Sequence, residues 1–118
     1  MNRLIISAVI SLIFLGGCTT VTEAGYYWGD YSSTLYKFTK NPSDETLAAH
    51  EEELQEIIKV AFDKGLMVPP GINAELGYIN AGRGNDASSK AYYESEMQSY
   101  PESRLFLERL IAAGGGGS

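Results

Sequence analysis

His50 is the sole histidine and Cys18 the sole cysteine of this 118-residue chain, so few side chains are available for catalysis. His50 falls on the apolar face of a helical pattern. A lone histidine there is more commonly a packed, hydrogen-bonded core residue than a general base or a ligand. A metal site needs several His, Cys or carboxylate ligands converging, and no such spacing occurs. Glu51-Glu52-Glu53 sets three carboxylates in a row, but successive helical residues point about 100° apart. They read as a solvated acidic edge, not as a paired acid and base. Gly82-Arg83-Gly84 precedes a helix start with no strand before it, the context that a phosphate-cradling glycine loop requires. There is no serine nucleophile motif. These residues point away from an enzyme, with no catalytic set, no metal and no cofactor called for.

Cys18 has a different setting. Arg3 gives the N-terminus a positive charge, and Leu4 to Leu15 is apolar except for Ser7 and Ser11. That stretch has the length of an export-signal core and is too short for an ordinary membrane span. It ends in Leu15-Gly16-Gly17-Cys18. The glycines can lie extended in a protease cleft with no side chains in the way, and the thiol that follows is a nucleophile able to accept a diacylglycerol. The pattern resembles the lipobox of bacterial lipoproteins. That resemblance implies a signal peptide over 1–17, a thioether-linked diacylglycerol on Cys18, cleavage before it, and acylation of the new amine. Several acyl chains, at about 0.8 kcal/mol per buried methylene, hold a protein on a bilayer stably where one would not. Thr19 stands where enterobacterial lipoproteins kept in the inner membrane carry aspartate. The resemblance therefore implies the outer membrane, with its periplasmic face as the expectation and the cell surface as the alternative.

The mature chain expected after cleavage is short enough for one small domain. Lipidation consumes the cysteine, so no disulfide is available to it. Leaving Arg3 out of the nine Lys and Arg gives eight basic residues against fifteen Asp and Glu. An acidic balance argues against nucleic acid and against charge-driven docking on anionic lipid, so the lipid must supply the anchor. At the other end, Gly114 to Ser118 reads GGGGS, the pattern of a flexible engineered linker, and it is excluded from the fold expectation. The native C-terminus lies near Ala113 or beyond.

The elements that must position anything functional read as helices, so the expected class is all-α. Residues 18–25 are small and polar, a tether between lipid and fold. Asp30 is placed to cap a short helix carrying Tyr31, Leu35, Tyr36 and Phe38. Asn41-Pro42 breaks it, and Ser43 is a natural N-cap with Asp44 and Glu45 in the first turn. Leu47, His50, Leu54, Ile57, Ile58, Ala61 and Phe62 then recur at three- and four-residue spacing, one stripe of a long helix that Gly65 ends. Val68-Pro69-Pro70-Gly71 forces an extended passage. Further helices are expected over about Ile72 to Ala81, over about Asp86 to Ser99 with Tyr93, Met97 and Tyr100 aligned, and after Pro101 with Phe106, Leu107, Leu110 and Ile111 on one face.

Leu76, Gly77, Gly84, Tyr93 and Pro101 fall at the offsets of a tetratricopeptide repeat, and the pair of helices resembles one such unit. Asn80, Ser89 and Glu96 depart from it, standing where the repeat prefers an aromatic and two alanines. A single unit also falls short of the three that a solenoid usually needs. The expectation is helical hairpins with one degenerate tetratricopeptide-like repeat and flanking helices over 26–113. The plainer alternative is a generic hairpin.

Tyr27-Trp28-Gly29-Asp30-Tyr31, Pro42-Ser43 with Glu45-Thr46-Leu47, and Val68-Pro69-Pro70-Gly71 followed by Ala74-Glu75-Leu76-Gly77-Tyr78 resemble a small family of bacterial lipoproteins of unknown function, over roughly Gly25 to Ile111. Members occur beside a lipoprotein resembling CsgG, the pore-forming curli secretion subunit, and beside a second small lipoprotein. The resemblance implies a hetero-oligomeric outer-membrane complex with both as partners, and no known reaction.

Tyr26, Tyr27, Trp28, Tyr31 and Tyr36 crowd together just past the tether. Tyrosine and tryptophan bury large areas at low entropic cost and keep a polar tip, which suits partner binding. Capping the small core, or stacking on the sugars of peptidoglycan or another glycan, are the other readings of the same residues. Val68, Pro69 and Pro70 form a second candidate surface, because a stiff Pro-Pro passage presents its backbone at little ordering cost.

Overall fold

The computed structural model describes residues 25–116, with side chains described over 25–114. The expected export signal, Cys18 and most of the tether lie outside the described residues. Among those described, the fold is all-α with no strand. Its elements are α1 (Tyr31–Lys40), α2 (Asp44–Lys64), α3 (Ile72–Gly82), α4 (Asp86–Ser99), a 3-10 turn (Pro101–Ser103) and α5 (Arg104–Gly116). Each helix packs on the next along the chain, which makes a serial array of hairpins with α3 and α4 as its tightest pair.

Local chemistry explains where α2 starts and stops. Ser43 Oγ accepts from the Thr46 amide at 3.0 Å, and Thr46 Oγ1 accepts from the Ser43 amide at 3.0 Å, a reciprocal capping box. At the far end the Gly65 amide donates to the Phe62 carbonyl and the Leu66 amide to the Ala61 carbonyl, at 3.2 and 2.8 Å. That six-to-one closure satisfies carbonyls that a helix end leaves open. His50, Leu54, Ile57 and Ala61 form the buried stripe. Phe62, expected on that stripe, is instead 84% exposed. It sits one helical step, about 100°, past Ala61, which already fills the inward position.

Leu54, Ile57, Ile72 and Leu76 form one buried cluster, with Tyr27, Tyr31, Val68 and Ile79 packed against it. Tyr93, Met97 and Leu107 form the second, with Leu110 and Ile111 beside it. Phe106, expected on the inward face of α5, is 64% exposed, while its neighbour Leu107 takes the buried position. α5 also runs on through Gly116, into the glycine run excluded from the fold expectation. Once a helix is nucleated, each added residue gains a backbone hydrogen bond, which offsets glycine's poor propensity.

The α3–α4 hairpin closes at Gly77, where an added Cβ would lie 2.5 Å from two ring carbons of Tyr93. Real side chains do not approach so closely, so glycine sets the interhelical distance here. The three departures from the repeat pattern are all buried and all bonded. Asn80 Nδ2 donates to the Leu76 carbonyl at 2.8 Å, and its own carbonyl accepts from the Asn85 amide across the turn. Ser89 Oγ donates to the Gly77 carbonyl at 2.7 Å, bridging the two helices. Glu96 reaches from α4 to the start of α3 and accepts from the Gly71 amide at 3.1 and 3.2 Å and from the Ala74 amide at 3.3 Å. Gly71 has no side chain to cap that helix, so a carboxylate from the next helix does so.

Candidate functional site

The aromatic segment lies along α2 in the opposite direction. The Asp30 amide donates to Glu53 Oε1 at 2.8 Å, and Lys64 Nζ sits 5.1 Å above the Tyr27 ring. Asp30 occupies the N-cap of α1 but makes no side-chain cap bond, contrary to its expected role. Gly29 turns the chain at φ +49°, and a Cβ there would strike the Glu53 carboxylate. The positive φ is what calls for the glycine of Tyr27-Trp28-Gly29-Asp30-Tyr31, since the Glu53 carboxylate ends a flexible side chain that can move aside.

Across that turn the rings form a ladder. Tyr26 meets Trp28 edge-on at 6.4 Å, Trp28 meets Tyr31 edge-on at 5.2 Å, and Tyr31 tilts against His50 at 5.4 Å. Edge-to-face pairs of this kind contribute about 0.5–1.5 kcal/mol each beyond their buried area. The ladder ends in a polar knot. Tyr31 Oη donates to Glu75 Oε2 at 2.5 Å, His50 Nε2 lies 3.0 Å from Glu75 Oε1, and Thr34 Oγ1 lies 2.7 Å from His50 Nδ1. With the ring neutral, Nε2–H donates to Glu75 and the Thr34 hydroxyl donates to Nδ1. With the ring charged, Nδ1–H donates to Thr34, whose own proton then turns to the Tyr31 carbonyl 3.2 Å away. Either state is fully bonded. His50 is thus a packed, hydrogen-bonded core residue. The order Thr–His–Glu would suit a proton relay, but Thr34 is tied to its own helix and lies outside the adjoining cleft's lining. Among the described residues no three His, Cys, Asp or Glu side chains converge as a metal site needs.

The cleft has a volume of about 440 Å³ and is mostly apolar. Tyr31, Leu35 and Phe38 of α1 form one wall. Pro70, Ala74, Tyr78 and Ile79 form a second, and Phe106 and Leu110 of α5 a third, with His50 and Glu75 at its base. Tyr78 and Phe106 are 69% and 64% exposed, so large apolar surface remains open at its rim. Patches of that kind on a small domain mark interaction surfaces.

The structure brings some of the sequence-derived candidates together and separates others. Tyr26 and Trp28 are exposed, Tyr27 and Tyr31 half-buried, and all four belong to the ladder or its flank. Pro70 is exposed and lines the cleft opposite Tyr31. Tyr36 stands apart, its ring 5.7 Å from Lys40 Nζ over a separate shallow depression. Val68 is half-buried, and its carbonyl accepts from Tyr100 Oη at 2.6 Å. Pro69 is fully buried, so it packs the core and cannot meet a partner. Leu35, Phe38, Glu75, Tyr78 and Phe106 were not among the candidates. The available signal was that Tyr78 and Phe106 are large apolar residues one step off a buried position.

Three phenols in and around the site are pushed above the ordinary tyrosine range. Burial does most of this for Tyr31, with the hydrogen bond to Glu75 and its negative charge adding to it. Burial raises Tyr93, partly offset by Ser89. Tyr100 is raised by burial, then by the Tyr26 hydroxyl and the carboxylates of Glu96 and Glu102. All three are neutral hydrogen-bonding groups at physiological pH.

No curated protein and no solved structure matches the chain. Residues 26–110 match the model of the Domain of unknown function (DUF4810), a span that starts at Tyr26 of the ladder and ends at Leu110 of the cleft wall. Nothing in this match or in the geometry indicates catalysis. The array of hairpins from the aromatic ladder to α5 is the unit that this model describes, and the chain belongs to the DUF4810 family.

Proposed function

We propose that this protein is a lipid-anchored lipoprotein of the outer membrane that serves as a non-enzymatic accessory or scaffold subunit of an envelope complex. Its anchor is the diacylglycerol and N-acyl lipid on Cys18. Its partners are a CsgG-like lipoprotein and a second small lipoprotein. The observation that supports docking is the aromatic ladder Tyr26–Trp28–Tyr31 leading into an open apolar cleft rimmed by Tyr78 and Phe106. Half-exposed tyrosine and tryptophan beside a cleft that can take an anchoring side chain have the make-up of an interface hot spot. The α3–α4 pair, read as one degenerate tetratricopeptide-like unit, supplies a stiff wall for it.

Co-purification tests the proposal. A tagged, lipidated protein extracted in gentle detergent should bring down a CsgG-like lipoprotein. Trp28→Ala should weaken that capture on the order of 10- to 30-fold, as truncating a hot-spot aromatic does. Recovery of the wild-type protein with no envelope lipoprotein would sink the proposal. The exposed edges of Tyr26 and Trp28 also suit stacking on sugars. Retention on purified peptidoglycan that is lost with Trp28→Ala, in the absence of any partner protein, would favour that second reading.

A further inference from the structure

The C-terminal end of α2 carries an exposed apolar group that neither the ladder nor the cleft uses. Phe62 is 84% exposed, Met67 54% and Leu66 36%, all within six residues of the helix stop. The exposed Lys59 and Lys64 flank them, with Asp63 between. Lys59 and Lys64 offset Asp63 and the nearby Glu56, so this neighbourhood is close to neutral on a chain of net charge −6. The described chain enters the domain at this same end, because Tyr27 lies under Lys64 and the segment after it runs back along α2 to Glu53. Tyr100, at the end of α4, is bonded to the Val68 carbonyl and so lies at this end too. The tip of the α3–α4 hairpin lies at the other end of α4, about 20 Å away along 14 residues.

We infer that Phe62, Leu66 and Met67 form a surface that rests in the interfacial layer of the bilayer to which the chain is tethered. The inference depends on the lipoprotein reading above, and the length of chain outside the described residues supports it. Eight residues from Cys18 to Tyr26 reach at most about 28 Å even when fully extended. This end of the domain therefore stays within that distance of the headgroups, whereas the hairpin tip can point away. A contact of three side chains would be weak on its own. The tether makes it intramolecular, so weak burial suffices to orient the domain. Lys59 can extend toward lipid phosphates while its stem lies on apolar surface. No helix among the described residues is long and apolar enough to cross a membrane, so the contact is peripheral.

The native thiol is consumed by the lipid, so one introduced cysteine gives a unique labelling site. The full lipidated chain carrying Met67→Cys, labelled with an environment-sensitive dye, is reconstituted into 3:1 phosphatidylethanolamine–phosphatidylglycerol vesicles containing a spin-labelled lipid quencher. Ala87→Cys, exposed at the far end of α4, is the reference. Quenching at position 67 should exceed that at 87 by about threefold or more, and adding Phe62→Asp should remove most of the difference. Phe62 makes no core contribution, so that variant folds. Equal quenching at 67 and 87 on a protein whose Cys18 carries its acyl mass overturns this inference and leaves the lipoprotein reading standing. A difference that Phe62→Asp does not change also overturns it, because the tether alone then explains it. Absence of acyl mass on Cys18 removes both.

Discussion

Glu96→Ala is expected to destabilise the domain by about 3 kcal/mol, lowering its Tm on the order of 10–20 °C. The carboxylate is 3% exposed and accepts hydrogen bonds from the Gly71 and Ala74 amides. Those amides belong to the first turn of α3, where no intrahelical acceptor exists. Alanine leaves both half-buried without a partner, and each such donor costs about 1–3 kcal/mol. Removing a desolvated charge returns part of that cost, which sets the total in the lower half of the summed range. Glu96→Gln keeps one acceptor oxygen and the shape of the side chain, so its loss should be about half as large. Thermal unfolding followed by circular dichroism measures both. If alanine and glutamine are alike and within about 0.5 kcal/mol of wild type, Glu96 does not cap α3.

Gly77→Ala should also destabilise, by about 2 kcal/mol, although alanine is the better helix former by about 1 kcal/mol. The added methyl group would lie 2.5 Å from two ring carbons of Tyr93. That ring is buried against Met97 and Leu107, and the Ser89 bond to the Gly77 carbonyl holds the backbones together, so neither side can give cheaply. The sign of the effect thus separates packing from propensity. In a Tyr93→Leu background the same substitution should cost little or turn stabilising. The double-mutant cycle should report a coupling on the order of 2 kcal/mol. Additive losses would mean that Gly77 is needed for some reason other than the Tyr93 contact.

These two residues show how far the sequence could be read. Gly77 and Tyr93 were visible as a pair because close helix approach requires a glycine facing a large ring at a fixed offset. The helix starts and stops were visible for similar local reasons, with the capping box at Ser43 and the closure at Gly65 each written in a few neighbouring residues. Glu96 was visible only as a departure from a pattern. Its role depends on bringing the end of α4 to the start of α3, a relation of twenty-five residues that periodicity does not carry. Phe62 and Phe106 were misplaced for a related reason. A stripe of spacing three and four is wide enough to admit two neighbouring apolar residues, and only the packing partner decides which one turns inward. The candidate site was half legible. Its aromatic ladder is nearly contiguous in sequence, whereas the cleft is assembled from all of α1, α2, α3 and α5, and the contacts of Glu75 with Tyr31 and His50 exist only once those helices pack.

Site-directed photo-crosslinking in the intact envelope tests the docking face most directly. A photoreactive amino acid placed at Tyr78 or Phe106, both on the cleft rim, should yield a discrete adduct with a CsgG-like lipoprotein. The same probe at Ala87, on the first turn of α4, should not. Adducts from Ala87 but none from Tyr78 or Phe106, or no protein adduct from any of the three, would contradict the assignment of the ladder and cleft as the surface that meets a partner.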